Sequence, residues 1–131
     1  MSDPRTVLVV GTDDAAIATL ASVLRTLGVT VRVARDVLAT DAPDVVVVHG
    51  AAEGRTAIEL ARSIRARRGP AAPRFVWIPT TEPRRVELVH FDEVVRRPYR
   101  AVDLLERVRR LLRGTSGSYR AVDAVRDRGT G

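Results

Sequence analysis

Few side chains in this sequence are suited to chemistry. His49 follows an apolar run and could accept a phosphoryl group or bind a metal, although a polar residue left at a strand end is the simpler interpretation. Asp13 could ligate a cation, but an aspartate directly before a helix more often caps it. Arg97, which precedes Pro98, could hold an anion, form a salt bridge to Asp13 or lie at the surface.

The composition excludes several kinds of chemistry. The chain has no cysteine and 2 histidines, so it has no thiolate chemistry and little from which to build a zinc site. All 22 basic residues are arginine, which excludes catalysis by a lysine amine. No apolar run approaches the roughly 20 residues of a membrane span, and the first residues lack the order of a signal peptide. We therefore expect a cytoplasmic protein with no membrane contact.

Strand and helix patterns alternate along residues 7–113. Residues 7–10 form a β-branched apolar run that ends at Gly11, and a helix follows that ends at Gly28. Further strands are predicted at 29–33, 45–48, 75–78 and 93–96, and further helices at 36–42, 83–89 and 102–113 and from residue 57 to an end at Arg67-Arg68-Gly69-Pro70. The alternation predicts a parallel five-stranded sheet with helices on both faces.

In parallel sheets of this kind, ligands collect beyond the carboxyl ends of the strands. The residues at those ends are Gly11, Thr12, His49, Thr80 and Arg97. We therefore expect any functional site to be built from these five positions.

Short segments in this order resemble the receiver domain of bacterial response regulators. The matching segments are 7–13, 43–49, 57–65, 80–81, 96–99 and 104–113. The resemblance implies a flavodoxin-like, doubly wound sheet with strand order 2-1-3-4-5 in a domain at 1–113. The connections near 28–43 and 80–98 are shorter than is usual in the family, which predicts shortened second and fourth helices. We expect 114–131 to be a flexible C-terminal tail, and the resemblance implies a cis peptide bond between Arg97 and Pro98.

The resemblance fails at the residues that carry the family's reaction. Receivers transfer a phosphoryl group to an aspartate with the help of Mg²⁺, which is held by carboxylates. Gly11 and Thr12 stand where the family has two of those carboxylates, and His49 stands where it has the phosphoacceptor. Arg97 replaces the family's lysine, whereas Thr80 matches its switch threonine. Without the carboxylates a hard cation has nothing to replace its hydration shell, so we expect no metal and no cofactor.

The resulting hypothesis is a pseudo-receiver: a non-enzymatic signalling module that works without phosphorylation and binds a protein partner whose identity the sequence does not reveal. The first and last predicted helices could also form a homodimer face. One alternative is a phosphorelay receiver that uses His49 as its acceptor. A second is an arginine-rich nucleic-acid-binding module, which has weaker support because no DNA-reading motif accompanies the arginines. A dinucleotide-binding loop is disfavoured because Asp13 and Ala16 occupy its later glycine positions.

Overall fold

A parallel sheet of five strands organises residues 5–37 and 41–114, the part of the chain that this computed structural model describes. The strands are β1 (Thr6–Gly11), β2 (Thr30–Ala34), β3 (Val45–His49), β4 (Arg74–Ile78) and β5 (Glu93–Val94). They lie in the order β2-β1-β3-β4-β5, and all neighbouring pairs are parallel. The predicted flavodoxin-like topology is confirmed.

The apolar sequences of β1 and β3 reflect burial on both faces of the sheet. Val45, Val46, Val47 and Val48 are all fully buried. Alternate residues point to opposite faces, so Val45 and Val47 pack in one apolar cluster while Val46 and Val48 pack in another. A central strand with two covered faces is continuously apolar instead of alternating.

Four α-helices cover the two faces of the sheet. They are α1 (Asp14–Arg25), α2 (Ala57–Arg68), α3 (Arg85–Leu88) and α4 (Ala101–Gly114). Buried residues of α1 and α4 share one apolar cluster, whereas those of α2 belong to the other. The helices α1 and α4 therefore lie on one face of the sheet and α2 on the opposite face.

The two connections that are predicted to be short, from β2 to β3 and from β4 to β5, are short in the structure. Helix α3 has only 4 residues. Between β2 and β3, residues 35–37 and 41–44 are not helical, and residues 38–40 lie outside the description. Asp36 accepts hydrogen bonds from the backbone N–H of Val37 at 2.7 Å and from Arg55 at 2.6 Å. Val37 is buried in the same apolar cluster as the buried residues of α2, so its side chain helps to cover that face of the sheet.

Two sequence-based boundaries need correction. Strand β5 ends at Val94 instead of residue 96, although the N–H of Val95 still donates to the Trp77 carbonyl at 2.9 Å. Helix α4 includes Gly114, which the sequence pattern assigns to the tail, and the rest of the tail expected over residues 114–131 lies outside the described residues. Helix α2 ends at Arg68, as expected, and Gly69 and Pro70 begin a separate 3₁₀ turn there. None of the described helices is both long and apolar enough to cross a membrane.

Candidate functional site

The carboxyl ends of the strands surround one open cavity of about 530 Å³. Parallel pairing places Gly11 beside His49 and His49 beside Ile78, so β1, β3 and β4 all end at this edge. Of the five residues expected from the sequence, Thr12, His49, Thr80 and Arg97 line the cavity. Gly11 does not line it, because it is buried in the last position of β1.

Gly11 is enclosed too tightly to carry a side chain. A Cβ atom at this position would lie 2.7 Å from Cγ2 of Ile17, 3.2 Å from the carbonyl oxygen of His49 and 3.3 Å from its Cβ. Ile17 is β-branched and buried on α1, and the carbonyl belongs to the sheet, so neither neighbour moves easily. Ile17 thus occupies the space that an acidic side chain at this position would need.

Asp13 is used as a helix cap. Its side chain accepts a hydrogen bond from the N–H of Ala16 at 3.1 Å, and its backbone carbonyl accepts one from Ile17 at 3.0 Å. These contacts satisfy donors of the first turn of α1, as an N-cap residue does. Of the two roles considered for Asp13, the structure shows the cap.

Two partly buried carboxylates, Asp44 and Asp92, lie at the opposite edge of the sheet. Asp44 accepts a hydrogen bond from the N–H of Thr6 at 2.8 Å, where β1 begins. Asp92 accepts one from the N–H of Phe75 at 2.7 Å, near the start of β4. Both carboxylates therefore bind strand backbones at the amino edge. Nowhere in residues 5–37 and 41–114 do three His, Cys, Asp or Glu side chains cluster as a metal site requires.

His49 is a buried polar residue whose ring has no hydrogen-bond partner among the other described residues. It ends β3 with 9% relative exposure. Burial is the main cause that lowers the pKa of His49, and the nearby charge of Arg97 lowers it further. Asp13 and the carbonyl of His49 itself act in the opposite direction, without reversing the shift. The ring is therefore neutral at neutral pH and has a nitrogen free for hydrogen bonding.

This lowered pKa predicts a pH dependence of stability. The unfolded chain binds a proton at His49 more readily than the folded chain does, because the pKa of His49 is lower in the folded state. The free energy of unfolding is therefore highest above pH 6.5, where the ring is neutral in both states, and it decreases as the pH falls below this value. We expect the free energy of unfolding in urea to fall between about pH 7 and pH 5.5, and His49→Gln to flatten this fall. His90→Gln, which removes the other histidine, is the control. Equal slopes for His49→Gln and wild type would contradict the prediction.

Arg97 extends over the mouth of the cavity without a carboxylate partner. Its guanidinium donates a long hydrogen bond of 3.4 Å to the carbonyl oxygen of Thr80. The salt bridge to Asp13 considered from the sequence does not form, since no carboxylate of the described residues lies within 4.0 Å of Arg97. Its neighbour Arg96, by contrast, pairs with Glu82 at 3.3 Å. The Arg97–Pro98 peptide bond is cis, as the resemblance implies.

Trp77 lines the same cavity and was not singled out from the sequence. Its indole Nε1 donates to the carbonyl oxygen of Gly50 at 2.9 Å, and its ring stacks on Phe91 with centroids 4.7 Å apart. Together these contacts fix the ring beside the loop that follows His49. The sequence could have indicated Trp77, because it lies one residue before the carboxyl end of β4, and residues near the carboxyl ends of parallel strands border the site.

Comparisons with known proteins agree with this fold. No family model matches the chain, and no curated protein matches it. Among solved structures, it is similar to the receiver domain of a response regulator from Bermanella marisrubri, with a TM-score of 0.70, 20% identity and coverage of 84% of this chain and 99% of that one.

Two further solved structures give the same result. A CheY-like response-regulator receiver domain from Methylobacillus flagellatus has a TM-score of 0.72 and 17% identity, and covers 83% of this chain and 99% of its own. The response regulator TrrA of Thermotoga maritima, solved in complex with Mg(2+)-BeF, has a TM-score of 0.71 and 19% identity, with coverage of 82% and 98%. The chain therefore has the fold of response-regulator receiver domains.

Proposed function

We propose that this chain is a cytoplasmic, receiver-like signalling module that works without aspartyl phosphorylation. It is not an enzyme, and it acts by binding a protein partner. The observation that carries the proposal is the packing at the site: Gly11 has no room for a carboxylate, and a buried imidazole, that of His49, stands where the resemblance to receivers would place the phosphoacceptor.

The residues at the site do not fit the Mg²⁺ ion that the fold family uses. Mg²⁺ prefers carboxylate and other hard oxygen ligands in octahedral geometry. The cavity offers the His49 ring, threonine hydroxyls and two carboxylates that are already engaged, since Asp13 caps α1 and Glu87 accepts a hydrogen bond from the N–H of Arg84. The guanidinium of Arg97 adds positive charge at the mouth. This donor set supports a module whose signal does not depend on metal-assisted phosphoryl transfer.

The proposed protein-binding surface is the pair α1 and α4, either against another protein or against a second copy. Both helices cover the same face of the sheet, and Val102 at the start of α4 is 51% exposed. Helix α3, by comparison, is only 4 residues long and offers little regular surface.

A nucleic-acid-binding role has less support from the arrangement of charge. The net charge is +6, but several arginines already pair with carboxylates. These pairs are Arg32–Asp41, Arg35–Asp14, Arg55–Asp36, Arg65–Asp92, Arg74–Asp92, Arg107–Glu93 and Arg110–Glu93. Paired guanidinium groups are less available to phosphates than unpaired ones.

Incubation with acetyl phosphate and Mg²⁺ tests the proposal. We expect no gain of a phosphoryl group when the protein mass is measured at neutral pH, where a phosphohistidine would survive. A receiver domain with a complete acidic site serves as the positive control. A phosphoryl group that disappears in His49→Gln would instead establish the phosphorelay alternative, and one that persists in this variant would identify an unexpected carboxylate. Either result would overturn the proposal.

A further inference from the structure

The cavity at the carboxyl edge of the sheet has the size of a small-molecule site. Its volume of about 530 Å³ falls within the range of roughly 300–1,000 Å³ found for ligand pockets. Its lining combines an apolar wall with a larger number of polar and charged side chains. The apolar wall consists of Ala51, Ala57, Ile58 and Trp77. In ligand pockets an apolar wall packs against the body of the ligand, and polar groups orient it.

Two polar groups of this cavity lack the partners that such groups normally have. His49 is nine-tenths buried, yet its ring makes no hydrogen bond to another described residue. Buried polar side chains usually have a partner, so a ring nitrogen left open beside a cavity indicates that a ligand supplies one. Arg97 is the only arginine among the residues that line the cavity, and no carboxylate of residues 5–37 and 41–114 pairs with it.

The charges around the cavity define the kind of ligand. Arg97 provides one positive charge, which attracts an anion, while His49 is neutral at neutral pH. Asp13 and Glu87 also line the cavity, but both carboxylates are engaged: Asp13 accepts a hydrogen bond from the N–H of Ala16, and Glu87 accepts one from the N–H of Arg84 and lies 3.9 Å from its guanidinium. Their negative charges still disfavour a ligand with two or more charges. A single carboxylate fits this balance, since guanidinium binds carboxylate with a matching pair of donors. The hydroxyls of Thr80 and Thr81 lie in the same lining and can donate to it.

We propose that this cavity reversibly binds a small organic monocarboxylate with an aromatic or apolar body. Arg97 holds the carboxylate at the mouth, and the open nitrogen of His49 contacts the ligand deeper in the cavity. The apolar body packs beside Trp77 and Ile58. This binding is noncovalent and does not depend on the protein partner proposed above, so the two proposals can fail separately.

Trp77 provides a direct readout of occupancy. It is the only tryptophan in the chain, so its indole N–H gives the single indole signal in an amide NMR spectrum of the full chain. The probe is phenylacetate, and its matched control is phenylacetamide, which has nearly the same shape without the charge. We expect phenylacetate to shift the indole signal saturably in the millimolar range, and phenylacetamide to bind at least about tenfold more weakly.

Two variants test whether Arg97 supplies the positive charge that binds the carboxylate. Arg97→Gln is expected to weaken phenylacetate binding about tenfold or more and to leave phenylacetamide unaffected. Arg96→Gln, which changes the neighbouring arginine that pairs with Glu82, is expected to leave phenylacetate binding within about twofold of wild type.

Several results would overturn the inference. Absence of a saturable shift with phenylacetate would show that the cavity does not take this ligand class. Equal binding of phenylacetamide, or an unchanged affinity in Arg97→Gln, would show that Arg97 does not hold a carboxylate. An equal shift with inorganic phosphate at the same concentration would indicate a general anion site. The acetyl phosphate experiment is unaffected by any of these results, so the proposed function is tested separately.

Discussion

Gly11→Asp is expected to lower the free energy of unfolding by about 3 kcal/mol or more. A Cβ atom at this position lies within 2.7 Å of Ile17 and 3.2 Å of the His49 carbonyl, so α1 must shift relative to the sheet. The new carboxylate is also brought close to a buried region that has no partner for it. Denaturation in urea measures the loss, provided that the slope with denaturant is unchanged.

Thr12→Asp is the matched control, because it adds the same side chain one residue later in the sequence. Thr12 is exposed at the rim of the cavity, so a carboxylate there keeps its hydration. We expect its unfolding free energy to stay within about 0.5 kcal/mol of wild type. Gly11→Ala separates the steric from the electrostatic cost and is expected to lie between the two. A Gly11→Asp variant as stable as Thr12→Asp would show that the packing around Gly11 is easily rearranged.

The double variant Thr12→Asp/His49→Asp is expected to bind Mg²⁺, which the wild-type donor set does not favour. Both new carboxylates lie beside the same cavity, near the carboxylate of Asp13. Grouped carboxylate oxygens are the hard ligands that Mg²⁺ prefers. If the affinity reaches the millimolar range, Mg²⁺ at ten times its Kd raises the unfolding free energy by about 1.4 kcal/mol. The comparison is unfolding in urea with and without Mg²⁺ at constant ionic strength.

Thr12→Asn/His49→Asn is the control for this experiment, because it has similar shapes without the added charges. Mg²⁺ is expected to leave the unfolding free energies of wild type and of this control unchanged. A specific stabilisation of wild type by Mg²⁺ would contradict the conclusion that its site does not fit the metal. Failure of the Asp variant to respond would show that more than the missing carboxylates prevents metal binding, and Arg97 would then be the first residue to change.

The first prediction tests whether position 11 can accept an acidic residue, and the second tests whether positions 12 and 49 can. Thr12 and His49 can be replaced in the existing backbone, since they border open space. Gly11 cannot be replaced in this way, because a Cβ atom at this position would clash with the side chain of Ile17. The packing of α1 therefore opposes an acidic residue at position 11, whereas acidic residues at positions 12 and 49 would change only the lining of a cavity.

The strand order and the position of the site were predictable from the sequence. Runs such as residues 45–48 are apolar because central strands are buried on both faces, and this pattern is local to each strand. The site position follows from the alternation of strands and helices, which places all carboxyl ends at one edge. The helix predicted at 36–42 is not formed at residues 36, 37, 41 and 42, and Asp36 instead accepts a hydrogen bond from Arg55 of a distant loop, a contact that local patterns do not contain.

The sequence alone predicts a parallel α/β sheet, shows that arginine replaces lysine throughout, and places no carboxylate at Gly11 or Thr12, the last position of β1 and the first position after it. Each of these is a matter of residue type and local spacing. Only the tertiary structure decided that Asp13 is a cap, that Arg97 has no carboxylate partner, that His49 is buried with an open nitrogen and that Trp77 joins it in one cavity. Pairing and burial depend on which distant segments meet, and local sequence patterns do not contain that information.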